Sequence, residues 1–309
     1  MIFLKIAYIK ENKLNKKIFG GIEIGFFDNN YIISVSNKEK TRVKKRLTKF
    51  ILKQKIDTLV FSKDLEGEFK EEICNLLNDN FGIDVLNGKK LMELMDFDIV
   101  KYIIDIQQVD MKQEEIYIIF KKDNSLNLNF LKRFIENFRM TNVVTNDIER
   151  LKNVQDNLLE QDGILISVSN NKRKALKRAK YVLNMNLSKT ELEKYKINRN
   201  AIIINIKENV RYEDVNFDGI NVNYFEITLP DEYIEKFEQI GENFDYVKLY
   251  ESELVKDMQG KSLEDIYAKI KSDEVRVDGL IGNNGKISRN EFGVTILEKI
   301  RNKPESLGL

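Results

Sequence analysis

Short apolar runs alternate with amphipathic stretches along most of this chain. Runs such as Ile116–Phe120 and Tyr181–Asn184 are rich in β-branched or aromatic side chains and have the length of buried strands. Between them, stretches such as Ile148–Gln161 place their apolar residues at helical spacing. Strands that are separated by one helix each cannot pair as hairpins, so the pattern predicts a parallel sheet with right-handed crossovers.

This alternation is most regular between residues 111 and 230. The predicted strands are Ile116–Phe120, Asn142–Thr145, Ile164–Ser167, Tyr181–Asn184 and Ala201–Asn205. The predicted helices between them are Leu128–Phe138, Ile148–Gln161, Lys172–Ala179 and Lys189–Tyr195. The alternating run Ile220–Leu229 predicts a last strand, which Pro230 ends.

The N-terminal part gives a second, less regular α/β pattern. Ile2–Ile9 and Ile22–Val35 alternate apolar and polar residues and suit antiparallel strands, with turn residues at Asp28, Asn29 and Asn30. A helix over Lys38–Gln54 and a strand over Asp57–Ser62 follow. The next helix is expected to be capped by Asp64 at its start and by Gly82 at its end. A strand over Ile83–Gly88 and a helix over Lys89–Gln108, bent near Asp96–Asp98, complete this part.

These elements predict the α/β class with two domains, of which the second is a doubly wound, parallel, Rossmann-like sheet. The predicted ranges are 1–110 for an N-terminal α/β domain and 111–230 for the Rossmann-like domain. The sequence of residues 231–309 predicts a mostly helical segment with one short strand. This segment is expected to pack back on the N-terminal domain. With 309 residues, the chain is long enough for two domains that each bury most of their apolar surface.

Composition and charge exclude several classes of protein. The 51 basic and 50 acidic side chains give a net charge of +1, which creates no general attraction to nucleic acid or to anionic membranes. The basic run at Lys172–Lys180 has no interleaved aromatic residue, which also disfavours nucleic acid. No run of about 18 apolar residues could span a bilayer. With Cys74 as its one cysteine and no secretory signal, the chain is expected in the cytoplasm.

The chain contains no histidine, which limits its chemistry. A Ser-His-Asp or Cys-His nucleophile is excluded, as are histidine-ligated zinc and haem. Acid-base chemistry would fall to lysine, aspartate, glutamate, tyrosine or cysteine with shifted pKa values. Cys74 has acidic neighbours in the sequence and is expected to be an inert, packed side chain. The sequence therefore leaves open whether the protein is an enzyme and favours one that is not.

Polar residues follow the ends of the predicted parallel strands, where open α/β sheets bind their ligands. We predict that this rim binds a polar or anionic ligand through Asn146, Asp147, Ser169, Asn170, Asn171, Asn184 and Asn205. The alternative is local: asparagine is common in this chain, caps helices and occupies turns. The sequence leaves both interpretations open.

A basic segment adds charge to this predicted rim. Ser169 or Asn170 would cap a helix whose first turn carries Lys172 and Arg173, and basic side chains oppose the dipole at a helix start unless an anion is bound there. Lys172 and Arg173 therefore join the predicted ligand-binding residues. The alternative is a solvated face, which the acidic stretch Asp231–Glu253 could neutralise within the molecule or across a homodimer.

Near the C-terminus, the sequence from Asn283 to Phe292 resembles the later half of a calcium-binding loop. That alignment puts Leu280 and Gly282 where oxygen ligands are required, so we expect no metal site. Ser288 and Glu291 instead predict a capping box for a helix that runs from Arg289 to about Arg301.

The region from Glu115 to Ile206 resembles the nicotinamide-nucleotide-binding domain of two-domain reductases such as shikimate dehydrogenase. The segments "AKYVLNMN" and "NAIIINI" are similar to that family's last two strands, and Asp147 has the approximate place of its ribose-binding acid. The resemblance implies a Rossmann-type fold and an NAD(P) site. The sequence departs from it in two places: Lys121–Asn127 contains no glycine, and the proline-containing loop of the catalytic lysine is absent.

Three functional hypotheses remain. The first is a degenerate Rossmann-like protein without cofactor or catalysis that binds a polar or anionic small ligand or a protein partner. The alternative is an NAD(P)-dependent oxidoreductase in which Asp147 holds the ribose and a lysine, Lys89 or Lys122, supplies the proton. The third is a nucleic-acid-associated factor that uses the basic helix.

Overall fold

The computed structural model describes residues 4–12, 21–36, 40–65, 67–121, 128–163, 165–258 and 260–293. Most of the loop that lacks glycine, residues 122–127, lies outside these ranges, as does the part of the predicted C-terminal helix that follows residue 293. The chain divides into two compact units. Unit 1 comprises Met1–Leu91 and Ile227–Val275, and unit 2 comprises Met92–Glu226 and Arg276–Leu309.

Unit 1 is built on a five-stranded sheet. Its strands are β1 (Ile6–Glu11), β2 (Ile22–Phe27), β3 (Asn30–Val35), β4 (Thr58–Phe61) and β5 (Asp84–Val85), arranged in the order β2-β3-β1-β4-β5. Only β2 and β3 pair antiparallel, while β1 pairs parallel with both β3 and β4, and β4 with β5. Strands β1 and β4 are buried almost throughout, as expected for the centre of a parallel sheet.

The first strands confirm one expectation and correct another. Asp28 and Asn29 have φ of 47° and 61° and form the two-residue turn of the β2–β3 hairpin, as their turn-prone character predicts. The first strand, however, does not pair antiparallel. β1 runs parallel to β3, with Ala7 opposite Tyr31, because the hairpin places β2 on the outer edge of the sheet.

The helices of unit 1 follow the sequence pattern closely. Helix α1 (Lys40–Gln54) buries Val43, Leu47 and Ile51. Helix α2 (Glu68–Phe81) ends at Gly82, which adopts the predicted left-handed conformation. Asp64 does not cap this helix: it lies in a 3₁₀ turn before it and binds the hydroxyl of Ser62, and α2 begins after Gly67.

The predicted bent helix consists of two helices, α3 (Lys89–Leu94) and α4 (Asp96–Gln107), which are separated at Met95. Unit 1 also contains α9 (Asp231–Ile240), α10 (Tyr246–Asp257) and α11 (Leu263–Ser272). One side chain of α10 stabilises the start of α3. The carboxylate of Glu251 is buried and accepts hydrogen bonds from the backbone N–H groups of Gly88, Lys90 and Leu91 at 2.8, 2.8 and 3.1 Å.

Unit 2 is built on a six-stranded sheet. Its strands are β6 (Glu115–Ile119), β7 (Met140–Val144), β8 (Ser167–Ser169), β9 (Tyr181–Asn184), β10 (Ile202–Asn205) and β11 (Ile220–Val222). The order is β11-β10-β9-β6-β7-β8, and every neighbouring pair is parallel. This is the doubly wound order of dinucleotide-binding domains. Unit 2 therefore contains a Rossmann-type sheet, as the sequence predicted.

Helices α5 (Leu128–Asn137), α6 (Ile148–Asp162), α7 (Lys172–Arg178) and α8 (Lys189–Leu192) connect successive strands of this sheet. Leu176 on α7 and Leu192 on α8 pack with Ile203 of β10 in one buried cluster. β8 starts three residues later than predicted, at Ser167. The boundary was misplaced because the predicted run Ile164–Ser167 is too short to fix its own position.

The predicted strand over Ile220–Leu229 is interrupted. β11 ends at Val222, and the following β12 (Tyr224–Thr228) forms a separate three-stranded sheet with β13 (Arg276–Gly282) and β14 (Gly285–Lys286). Asn223 lies between β11 and β12, and its backbone N–H donates to the carbonyl of Ile281 at 2.8 Å. Apolar residues continue to alternate across this change of sheet, so their pattern does not indicate where the strand is interrupted.

The C-terminal turn follows its prediction. Glu291 accepts hydrogen bonds from the backbone N–H and the hydroxyl of Ser288, both at 2.7 Å, and the first of these is the contact that the predicted capping box requires of its glutamate. Within the described ranges, no group of three or more acidic or cysteine residues is placed to hold a metal ion. No helix in the same ranges is long and apolar enough to cross a membrane.

Candidate functional site

The topology of unit 2 marks one place where a ligand would bind. The chain leaves β6 toward β7 on one side and later returns to β9 on the other, so the carboxyl ends of β6 and β9 flank the switch point. Lys121 follows β6 and Asn186 follows β9. The backbone N–H of Lys121 donates to the side-chain oxygen of Asn186 at 3.0 Å, which joins the two strand ends.

Lys172 is the predicted ligand residue with the most unusual surroundings. It begins α7, its side chain is only 5% exposed, and its ammonium contacts the side-chain oxygen of Asn146. It forms no ion pair with any described residue. Burial lowers the pKa of Lys172, and the negative charge of nearby Glu191 only partly opposes this effect.

A second lysine at this edge is neutralised by a carboxylate. The ammonium of Lys121 lies 2.6 Å from Glu191 of α8. The same oxygen of Glu191 accepts hydrogen bonds from the backbone N–H and the hydroxyl of Ser188, each at 2.9 Å. The hydrogen bond from Lys121 is the largest cause that lowers the pKa of Glu191 to about 2. The carboxyl edge of the unit 2 sheet thus holds two lysines, Lys121 and Lys172, with the carboxylate of Glu191 near both.

The sequence did not single out Lys121 or Glu191 as site residues. Glu191 stands three residues after Ser188, and this capping-box spacing was legible in the sequence. Its contact with Lys121 depends on the packing of α8 beside the end of β6, which no local pattern encodes.

Asn184 and Asn205 lie at strand ends as predicted, but both are buried and bind other protein groups. The amide nitrogen of Asn184 donates to the carbonyl of Leu187 and to the side-chain oxygen of Asn205, each at 2.9 Å. Asn205 donates in turn to the side-chain oxygen of Asn223 at 3.0 Å and to the carbonyl of Val210 at 3.2 Å. These amides form a continuous ladder inside the protein.

The remaining predicted residues mostly serve local structure. Ser169 accepts a hydrogen bond from the backbone N–H of Asn171, and Asn171 caps α7 by accepting one from Lys174, both at 3.0 Å. The side chain of Asn170 is exposed, and its carbonyl accepts from the backbone N–H of Lys172 at 2.9 Å. Among the amide side chains of the predicted rim, Asn146 is therefore the one that contacts the ammonium of Lys172.

Asp147 and Arg173 complete the predicted set. Asp147 precedes α6 and makes no capping hydrogen bond with its side chain, while its backbone N–H donates to the hydroxyl of Thr145 at 3.2 Å. Asp147 follows β7, the second strand of the doubly wound order, where the reductase resemblance places a ribose-binding acid. Arg173 is exposed on α7.

The basic segment is only partly neutralised within unit 2. Lys180 pairs with Glu114 at 2.9 Å, and Lys189 lies 3.5 Å from Glu213. Arg173 and Lys174 are exposed and have no ion-pair partner among the residues that the structure describes. Lys172 differs from them because it is buried.

Two groups of unit 1 bear on the alternative hypotheses. Burial lowers the pKa of Lys89 to about 8, which brings its deprotonation within reach of physiological pH. Burial also raises the pKa of the Cys74 thiol, as expected for an unreactive packed cysteine.

No family model and no curated protein matches the sequence of this chain. Solved structures are similar to it at low identity. The A chain of dipicolinate synthase from Bacillus subtilis is 8% identical, with 87% of this chain and 98% of that chain covered, at a TM-score of 0.37. A chorismate mutase/shikimate 5-dehydrogenase fusion protein from Clostridium acetobutylicum is 12% identical, with 97% and 100% covered, at 0.27.

An NAD-dependent malic enzyme from Thermotoga maritima is 11% identical at a TM-score of 0.29, with 65% of this chain covered. The chain spans only 59% of the length of that enzyme. The Rossmann-type fold of unit 2 is assigned from its strand order.

Proposed function

We propose that unit 2 binds a small anionic ligand at the carboxyl edge of its six-stranded sheet, between Lys172, Asn146 and Lys121. The observation that supports this proposal is Lys172 itself, a residue only 5% exposed whose ammonium contacts one side-chain oxygen and no carboxylate among the described residues. A lysine ammonium carries three N–H donors. A bound anion would accept hydrogen bonds from the N–H groups of the Lys172 ammonium that do not donate to Asn146.

The cost of burying this charge distinguishes Lys172 from its exposed neighbours. Burial disfavours the ammonium of Lys172 and lowers its pKa, and the negative charge of Glu191 opposes this effect only in part. An anion at Lys172 would recover part of this cost. Arg173 and Lys174, which remain in water, would gain much less from the same ligand.

We propose further that binding is not followed by hydride transfer. A pyrophosphate needs close approach of bare backbone at the first turn of a dinucleotide site, and Lys121–Asn127 has a side chain at every position. The ligand expected here is a small phosphate or carboxylate, held by side-chain ammonium groups and an amide.

Calorimetric titration with inorganic phosphate and pyrophosphate tests this function. Wild-type protein should bind at least one of them saturably, and Lys172→Met should weaken binding at least tenfold, about 1.4 kcal/mol. Lys174→Met, on the same helix but exposed, is the matched control and should bind like wild type. Unchanged affinity in Lys172→Met would refute the proposed site.

The second candidate function is that of an NAD(P)-dependent oxidoreductase. It is favoured by the strand order of unit 2 and by the place of Asp147 after β7. Lys122, one of the two lysines considered for proton transfer, lies outside the described residues. Titration with NADH and NADPH decides between the two candidates. Micromolar affinity that Asp147→Ala abolishes would establish a dinucleotide site in unit 2 and overturn the first proposal.

A further inference from the structure

The five-stranded sheet of unit 1 has a topological switch point of its own. From β1 the chain passes through the β2–β3 hairpin on one side, and then crosses by α1 to β4 on the other side of β1. In open α/β sheets, ligands bind at the carboxyl ends of strands where the direction of winding reverses. The ends of β3, β1 and β4 are therefore the place in unit 1 to examine.

A cavity of about 130 Å³ lies at these strand ends. Glu11 is the last residue of β1, Ser36 follows β3, and Asp64 lies in the turn after β4. The helices that follow these strands contribute their first residues, Lys40 of α1 and Glu68 of α2. The cavity and the switch point are independent observations, one of shape and one of topology, and they coincide.

The charged groups of the cavity are largely unused by the protein. Among the described residues, Glu11, Lys40 and Glu68 have no hydrogen-bond or ion-pair partner for their side chains. Asp64 differs, because its carboxylate binds the hydroxyl of Ser62 and accepts from the amide of Asn243 at 3.3 Å. The cavity thus presents both signs of charge to a ligand, with carboxylates in excess.

Size and composition restrict what could bind. At about 30 Å³ for each water molecule, the cavity has room for roughly four waters, far less than the ~300 Å³ of the smallest drug-sized sites. A nucleotide is too large. A metal ion is disfavoured because the described acids of this region are not grouped with metal-binding geometry. Leu65 and Phe69 add an apolar wall.

We propose that this cavity binds a small zwitterion of amino-acid size, with its ammonium group at Glu11 and Glu68 and its carboxylate at Lys40. The apolar wall of Leu65 and Phe69 receives the ligand's side chain or α-carbon. Because three carboxylates face one ammonium, neutral and basic amino acids bind better than acidic ones. This ligand is distinct from the anion proposed for unit 2.

Thermal-shift assays and calorimetry with glycine, alanine, serine, lysine and glutamate test the proposal on the full chain. At least one neutral or basic member should bind saturably and glutamate should bind most weakly. Glu11→Gln and Lys40→Met should each weaken binding at least tenfold. Glu71→Gln on α2 and Lys45→Met on α1, both exposed, are matched controls and should leave affinity unchanged.

Alaninamide, which keeps the ammonium but lacks the carboxylate, assigns the two ends of the ligand. Lys40→Met should not affect its binding, whereas Glu11→Gln should weaken it as it weakens alanine. Absence of binding by all five amino acids, or binding that Glu11→Gln and Lys40→Met leave intact, would overturn the proposal. Saturable binding of Mg²⁺ or Ca²⁺ that Glu11→Gln abolishes would also overturn it, in favour of a cation site. None of these outcomes bears on the separate proposal that phosphate binds at Lys172 in unit 2.

Discussion

The side-chain amide of Asn184 donates a hydrogen bond of 2.9 Å to the side-chain oxygen of Asn205, and both residues are almost fully buried. These asparagines end the neighbouring strands β9 and β10. The ladder continues from Asn205 to Asn223 and from Asn223 to Asn283, the latter at 2.6 Å. One half of the carboxyl edge of unit 2 is therefore held together by amides that satisfy each other.

Replacing Asn205 should destabilise the protein more than any exposed asparagine does. Asn205→Ala leaves the amide of Asn184 and the oxygen of Asn223 without their shared partner, and a buried polar group left unpaired costs about 1–3 kcal/mol. We expect a loss of about 2–3 kcal/mol in urea unfolding. Asn216→Ala, in an exposed turn, should change the free energy of unfolding by less than about 0.5 kcal/mol. Equal effects of the two substitutions would contradict a structural role for the ladder.

The asparagine ladder also shows which features of the site can be predicted from the sequence. The positions of Asn184 and Asn205 at strand ends followed from the apolar runs before them, and the doubly wound sheet followed from the regular spacing of strands and helices. Whether an amide faces a ligand or another amide depends on which strands become neighbours. β9 and β10 are neighbours through long-range packing, so the sequence could predict the rim but not its hydrogen bonds.

Long-range contacts are equally unpredictable at the other half of the carboxyl edge of the six-stranded sheet, where Lys172 lies. The sequence predicted Lys172 from the charge of its segment, without any sign that this lysine alone would be buried. It also placed the first strand antiparallel, because alternation of apolar residues does not distinguish the two pairings once a hairpin intervenes. Local patterns therefore predicted the elements, and the contacts between distant elements determined the site.

Glu251 should be essential for the stability of unit 1. Its buried carboxylate accepts three backbone N–H groups at the start of α3, and Glu251→Ala leaves all three without an acceptor. We expect the free energy of unfolding to fall by at least about 3 kcal/mol. Glu242→Ala, which removes an exposed carboxylate of the same unit, is the control for lost charge. A loss below 1 kcal/mol in Glu251→Ala, measured by urea unfolding, would show that water replaces the carboxylate.

Asp273 should make the stability of unit 1 sensitive to acid. Burial alone would raise its pKa, but hydrogen bonds from Tyr250, Lys269 and Tyr233 outweigh this effect and hold the pKa below its ordinary value. A carboxyl with a depressed folded-state pKa contributes stability above its unfolded pKa, near 4, and loses it as the pH falls further.

The substitution Asp273→Asn removes the carboxyl group whose protonation is expected to lower stability in acid. Urea unfolding at pH 5, 4 and 3 should show a smaller loss of stability at low pH in the variant than in wild type, from a lower starting value at pH 5. Asp231→Asn, exposed on α9, should keep the wild-type slope. Parallel pH profiles for wild type and Asp273→Asn would show that the hydrogen bonds do not favour the charged form.

Lys89 should make the stability of unit 1 depend on pH in the alkaline range, with stability rising with pH as it does for Asp273. Its folded-state pKa of about 8 lies below the usual lysine value because burial disfavours the ammonium. The unfolded state therefore binds more protons between pH 8 and about 10.5, and this group's penalty on stability disappears as the pH rises through that window. Lys89→Met should stabilise the protein by roughly 1–3 kcal/mol at pH 7, and the gain should shrink by pH 10. A gain that does not depend on pH would show that Lys89 is not the titrating group.

The ion pair between Lys121 and Glu191 has a consequence for the proposed anion site. Glu191 places a negative charge beside both lysines, so an incoming anion must compete with it for Lys121. Glu191→Gln removes that charge but keeps a side chain of the same shape for the capping of α8. The affinity for inorganic phosphate, measured by calorimetry, should rise about threefold to tenfold. Glu193→Gln, two residues further along the chain, removes a charge that pairs with Lys189 and should change affinity little. If Glu191→Gln instead weakens binding, Glu191 orients Lys121 toward the ligand and does not compete with it.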